Sequence, residues 1–167
     1  MTREPSLPLS RPSLRLASAI AAIAVAAIPL TALLAQPAQA PYTVAETGQG
    51  FANLQDTVNA IGDARGTIVV APGNHHQCAV QEAGFISYLS ELPGAAVFDA
   101  VTCEGKAALV LRGRGAEVSG LVFQNMRVRD YNGAGIRLET GDLTVAQSWF
   151  RDSQQGILTA GDGMPRW

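Results

Sequence analysis

A short pattern written twice between residues 116 and 162 constrains this chain more than any other feature. The first copy reads Val118-Ser119-Gly120-Leu121-Val122-Phe123-Gln124-Asn125 and closes at Gly135-Ile136. The second reads Val145-Ala146-Gln147-Ser148-Trp149-Phe150-Arg151-Asp152 and closes at Gly156-Ile157. Val118 to Val145, Phe123 to Phe150 and Asn125 to Asp152 are each 27 residues apart, whereas Ile136 to Ile157 is 21. Such self-similarity marks a chain whose units bury apolar surface only against their neighbours. A rival register shifts by 22, placing Leu121 on Leu143, Phe123 on Val145 and Arg129-Asp130 on Arg151-Asp152. The first register is preferred because it also aligns the polar turn residue and the closing Gly-Ile.

Either register gives short units of strand-forming residues without the Leu-x-x-Leu-x-Leu frame of a leucine-rich repeat. The chain has 17 glycines and only 6% aromatic residues, a balance suited to stacked strands and tight turns. The expected fold class is therefore all-β: a right-handed parallel β-helix, or solenoid, over residues 67–162, with a short helix capping its N-terminal end. Its expected interior holds Ile68, Val70, Leu109, Leu111, Val118, Leu121, Phe123, Ile136, Leu138, Val145, Phe150 and Ile157. Asn125 and Asp152 should occupy equivalent corners.

Residues 1–40 read as a signal peptide. Arg3, Arg11 and Arg15 form a basic leader, an Ala-, Ile- and Leu-rich stretch follows, and Ala38-Gln39-Ala40 has the small-x-small form of a cleavage site. An uncleaved anchor is the alternative, since about 20 apolar residues can span a bilayer. Without the leader, 9 basic residues face 13 acidic ones, a net charge of −4. A mildly acidic chain with no basic run is poorly suited to neutralising nucleic-acid phosphates. The expectation is an exported protein, periplasmic or extracellular, with no nucleic-acid partner and no membrane contact after cleavage. In an oxidising compartment Cys78 and Cys103, 25 residues apart, form a disulfide by default, with buried free thiols as the alternative.

Residues 41–66 form the lead-in. Leu54, Val58 and Ile61 lie on one helical face, Asn53 is placed to cap, and Gly62 to stop the helix. Residues 67–71 and 107–111 read as strands, residues 81–100 are ambiguous between strand and helical turn, and Arg112-Gly113-Arg114-Gly115 reads as a turn. His75 and His76 read as part of a polar turn, because neighbours in an extended strand face opposite ways and cannot share a metal. No metal site is expected. Residues 163–167 continue neither the repeat nor a cap, which suggests a truncated chain.

The lead-in helix before Gly66-Thr67-Ile68-Val69-Val70-Ala71-Pro72-Gly73, then Cys103-Glu104-Gly105-Lys106-Ala107, Gly133-Ala134-Gly135-Ile136 and Gly156-Ile157-Leu158-Thr159, carry a further likeness. Over residues 50–162 the chain resembles exported bacterial right-handed parallel β-helix proteins of the pectin lyase-like superfamily. The resemblance implies the fold more strongly than an activity, because that superfamily holds lyases, hydrolases, esterases and epimerases alongside proteins of no assigned activity. Its lyases use calcium held by clustered acids, and hydrolases need paired carboxylates; neither arrangement is visible here. The expected function is a non-catalytic extracellular scaffold or glycan-binding module, with a lyase-like enzyme acting on an acidic polysaccharide as the alternative. No cofactor is expected, calcium entering only under the lyase reading. The candidate substrate-binding residues are Arg127, Arg129, Asp130, Arg151 and Asp152, since guanidinium groups bind carboxylates through paired hydrogen bonds.

Overall fold

The structure, a computed structural model, describes residues 40–160. The leader (all but Ala40) and the tail over residues 163–167 lie outside the described residues. In chain order the elements are β1 (Tyr42–Val44), β2 (Gln49–Phe51), α1 (Leu54–Ile61), β3 (Arg65–Val70), β4 (Gly73–His75), β5 (Ala79–Gln81), β6 (Phe85–Ser90) and β7 (Ala96–Asp99). They continue with β8 (Ala107–Leu111), β9 (Gly115–Ser119), β10 (Leu121–Gln124), β11 (Ala134–Leu138), β12 (Asp142–Ala146), β13 (Trp149–Arg151) and β14 (Gln155–Thr159). From β6 onward each strand pairs in parallel with the strand three places before it.

The 27-residue register is the one the backbone adopts. Val118 pairs with Val145, Phe123 with Phe150, and Ile136 with Ile157. The 22-residue alternative fails, because Val145 lies beside Val118 rather than Phe123. Asn125 and Asp152 follow the paired residues Gln124 and Arg151, and both have left-handed backbones with φ of 59° and 51°. They occupy equivalent corners, as expected.

The expected fold class needs correcting. The chain is mostly β, but its strands form three open sheets, two parallel and one mixed, and none closes or curls into a solenoid. The mixed sheet arises because β1 runs antiparallel to both β2 and β3, turning through Gly48 at φ 70°. The fold is therefore a three-sheet, β-rich domain rather than a right-handed parallel β-helix. The repeat led to the wrong class because its spacing reports which strands are neighbours and says nothing of how whole sheets are disposed. The hairpin escaped notice because its strands have only three residues each.

The core explains the Phe and Gly-Ile positions together. His75, Phe98, Phe123 and Phe150 are aligned across β4, β7, β10 and β13. Their rings run in series at centroid separations of 5.4, 5.4 and 5.1 Å, with Tyr42 a further 5.2 Å beyond His75. Such ring pairs add roughly 0.5–1.5 kcal/mol to what burial alone contributes. A Cβ on Gly135 would stand 2.7 Å from Phe150 Cδ1 and 2.8 Å from Phe123 Cβ, so glycine makes room for the ladder. His75 is consequently a buried strand residue rather than part of a polar turn, while His76 is exposed.

Eight of the twelve expected interior residues are buried. Leu138, Val145 and Phe150 are only partly buried and Ile157 is 41% exposed. For Val145, Phe150 and Ile157 the reason is position: β12, β13 and β14 are the last strands of their sheets among the described residues, so no further strand covers them, whereas Leu138 lies one strand inward, at the end of β11.

The other end of the sheets is covered. Asn53 Oδ1 accepts hydrogen bonds from the Gln55 and Asp56 amides, Gly62 at φ 60° ends the helix, and Leu54, Thr57, Val58 and Ile61 are buried. Gln55 also pairs with the free edge of β5, accepting from Val80 N at 2.7 Å and donating to Val80 O at 2.9 Å. A side-chain amide thus satisfies backbone groups that an edge strand would leave open. Gln77 secures the helix start, its Oε1 accepting from Leu54 N at 2.8 Å. The adjacent Cys78 is bonded to Cys103, with Cα atoms 5.4 Å apart, so the expected disulfide is present.

Candidate functional site

The five residues singled out from the sequence do not form one array. Arg151 lies on β13, where its Nε donates to Gln124 Oε1 at 2.9 Å. Arg127 reaches the same neighbourhood, its Nη2 donating to the Asp152 carbonyl at 3.4 Å. Arg129 and Asp130 stand apart, in the loop between β10 and β11. The stacking of Arg129 on Arg151 and Asp130 on Asp152 required the 22-residue register, and it falls with that register.

That loop is held firmly at its base. Gln154 Oε1 accepts from Val128 N at 2.9 Å and Gly133 N at 2.8 Å, while its Nε2 donates to Val128 O at 3.1 Å. Ser153 Oγ accepts from Met126 N, and the Met126 side chain is fully buried. At the tip, Asp130 Oδ1 accepts from Asn132 N at 3.2 Å, and Tyr131 is 78% exposed with a left-handed backbone. Val128, Arg129 and Asp130 line one side of a depression of about 510 Å³, with Gly105 on the other. An amide-clamped loop presenting a cation, an anion and an aromatic ring is suited to binding a polar ligand with an apolar face.

Beyond Gly105 lies a charge cluster that sequence reasoning missed. Arg112 donates to Glu82, Glu104 and Glu139, and Lys106 donates to Glu104 at 3.0 Å and Glu139 at 2.7 Å. The Arg137 Nε is buried 3.9 Å from Glu139 Oε1 and has no hydrogen-bond partner among the described residues. The signal was available: Arg112 and Glu139 are 27 residues apart, the spacing that aligns the phenylalanines. Hydrogen bonds from Arg112 and then Lys106 bring the Glu104 carboxyl down to about 2, and those from Lys106 and then Arg112 lower Glu139. The same contacts, led by Glu139 for Lys106 and by Glu104 for Arg112, raise both cations. These carboxylates stay ionised and these cations stay protonated at neutral pH, so neither set is poised for proton transfer.

Calcium does not fit this cluster. Glu104 and Glu139 already serve two cationic side chains each and Glu82 serves Arg112, so a divalent ion would have to displace them. No group of three or more His, Cys, Asp or Glu is placed to hold a metal among the described residues. His75 and His76 point apart: the first bonds to Tyr42 and the Ala71 carbonyl, the second to the Asp99 carbonyl. A second depression of about 390 Å³ lies between Arg112, Arg114, Asp63 and Glu82, where Arg114 is paired with Asp63.

Among the described residues no helix is long and apolar enough to cross a membrane. No known family, curated protein or solved structure matches this chain. The likeness to the pectin lyase-like superfamily therefore rests on the sequence motifs alone.

Proposed function

We propose that this is an exported, non-catalytic glycan-binding module, with acidic polysaccharide as its ligand. The carrying observation is the loop of residues 126–133, anchored by Gln154, which sets Arg129 and Asp130 along the depression at Gly105 and presents the exposed Tyr131 next to them in the chain. An aromatic face stacks on the apolar side of a sugar ring, and an arginine pairs with a carboxylate. The backbone at the base of the loop is clamped by Gln154, which lowers the ordering cost of binding. The disulfide and the leader sequence support export to an oxidising compartment. The nearby carboxylates argue against proton transfer by this cluster, because their ion pairs hold them ionised.

The test is to titrate the protein with a panel of uronate and neutral oligosaccharides by calorimetry, with and without calcium, while following ultraviolet absorbance for unsaturated products. Saturable binding without product, weakened at least about tenfold by Arg129→Ala or Tyr131→Ala, a loss of roughly 1.4 kcal/mol, is the expected result. Accumulating unsaturated product would establish the lyase reading. No binding to any member of the panel would leave a structural scaffold.

A further inference from the structure

The aromatic ladder encloses one imidazole, that of His75, 6% exposed between the rings of Tyr42 and Phe98. Its hydrogen bonds fix a single neutral form. The Ala71 carbonyl, 2.8 Å from Nε2, can only accept, so the ring proton sits on Nε2. Nδ1 must then accept from the Tyr42 hydroxyl at 3.0 Å. Tyr42 belongs to β1, the strand that lies antiparallel against β3, with Tyr42 opposite Val70. One hydrogen bond therefore links the charge state of an interior ring to the hairpin covering this edge.

We propose that the β1–β2 hairpin is an acid-released strap, held shut by neutral His75 and opened when that ring takes a second proton. The second proton has to go on Nδ1, where Tyr42 now donates. The hydroxyl must then turn its own hydrogen away, and no other acceptor meets it among the described residues. A charge would also be enclosed between two rings. The titratable groups facing His75 are few. Tyr42 comes from β1, its hydroxyl pushed up to about 12 by burial, so it remains a donor. His76, next in the chain, adds repulsion when charged, and β7 contributes only the Phe98 ring. Among the described residues no carboxylate acts on the imidazole to favour its charged form.

Burial holds the ring below the usual histidine range. The opened hairpin, in which His75 meets water, binds the proton more readily than the closed one. Closure is thus fully supported above about pH 6.5 and weakens as pH falls through the lowered value. A second acid-sensitive contact lies in the same hairpin: the Glu46 carboxylate accepts from Thr67 N at 2.9 Å, which lowers its pKa. The Glu46 contribution is lost only below its ordinary value of 4.5, whereas the loss through His75 begins near 6.5.

Hydrogen exchange of the whole chain, read by mass spectrometry over residues 41–51 and corrected for intrinsic rates, tests the strap. Between about pH 6.5 and the lowered folded value, protection of this segment should fall by up to roughly tenfold per pH unit and level off below that value, while residues 107–111 stay protected. His75→Phe, which extends the ladder with a ring that cannot charge, should abolish that loss, and Glu46→Gln should leave it in place. Tyr42→Phe should shrink the loss and end it at a higher pH, since neutral Nδ1 loses its donor and the folded value moves back toward 6.5. A nitrogen-15 titration of the imidazole supplies a reading that needs no variant. Constant protection down to about pH 4.5, equal loss in His75→Phe, or an ordinary His75 midpoint near 6.5 would each overturn the proposal.

Discussion

Gly135 and Phe150 are complementary in shape. A methyl group on Gly135 would lie 2.7 Å from Phe150 Cδ1, and without it the Phe150 ring stacks on Phe123 at 5.1 Å with planes 7° apart. Gly156 stands one strand further along, with its Cβ position 3.3 Å from Phe150 Cβ. The twice-written Phe and Gly-Ile signature is thus a packing rule, bulk from one sheet fitted to a gap in another.

Gly135→Ala should therefore destabilise the fold by about 1–3 kcal/mol, the usual cost of forcing a methyl into a filled interior. Gly156→Ala should cost less, because its contact is looser. Equilibrium urea unfolding of both variants checks the order, and equal midpoints would count against the ladder.

Phe123→Ala should cost about 3–5 kcal/mol, since the ring is fully buried between two others. Phe150→Ala removes the same atoms from a partly buried position and should cost distinctly less. Thermal unfolding separates the two, and a larger loss at Phe150 would contradict the placement of β13 at the edge of its sheet.

The disulfide closes a span of 25 residues and ties the segment carrying Gln77 to the turn before Lys106. Replacing Cys78 and Cys103 together by serine should cost about 3–4 kcal/mol on the chain-entropy account. Denaturant titration of the double variant against the oxidised protein measures it, with a difference under about 1 kcal/mol as the contrary outcome.

Acid should act on the charge cluster in a defined direction. Glu104 has a folded pKa of about 2, below its ordinary value of 4.5. Its contribution is present above that ordinary value and is lost as pH falls toward 2. The group is exposed, so the effect is modest and screened by salt. In Arg112→Gln the Glu104 carboxyl, followed by carbon-13 NMR, should titrate closer to its ordinary value. An unchanged midpoint would show that Arg112 is not the cause.

Much of the domain was legible because it rests on local chemistry. Asn53, Leu54, Val58, Ile61 and Gly62 announce α1, and the repeated Val, Phe and Gly-Ile positions announce which strands pair. The earlier members of the ladder were hidden because His75 and Phe98 stand where the later copies carry phenylalanine without the flanking signature. The Arg112 cluster was hidden for another reason. Its partners Glu82, Glu104 and Glu139 come from three separated segments, and only the strand register brings them together. Sheet disposition was beyond reach altogether, since a repeat specifies adjacency and leaves the shape of the whole to packing. For the same reason the arginines were matched across the wrong spacing, and Tyr131 was passed over as an isolated aromatic in a polar loop.

The register is the foundation for the loop, the charge cluster and the aromatic ladder alike, and proton NMR reaches it directly. Ring-to-ring Overhauser contacts are expected between Phe123 and Phe150 and between Phe98 and Phe123, together with backbone contacts from Val122 to Trp149. Contacts linking Phe123 to Val145, or Val128 to Phe150, in their place would put the strands 22 residues apart and contradict the account.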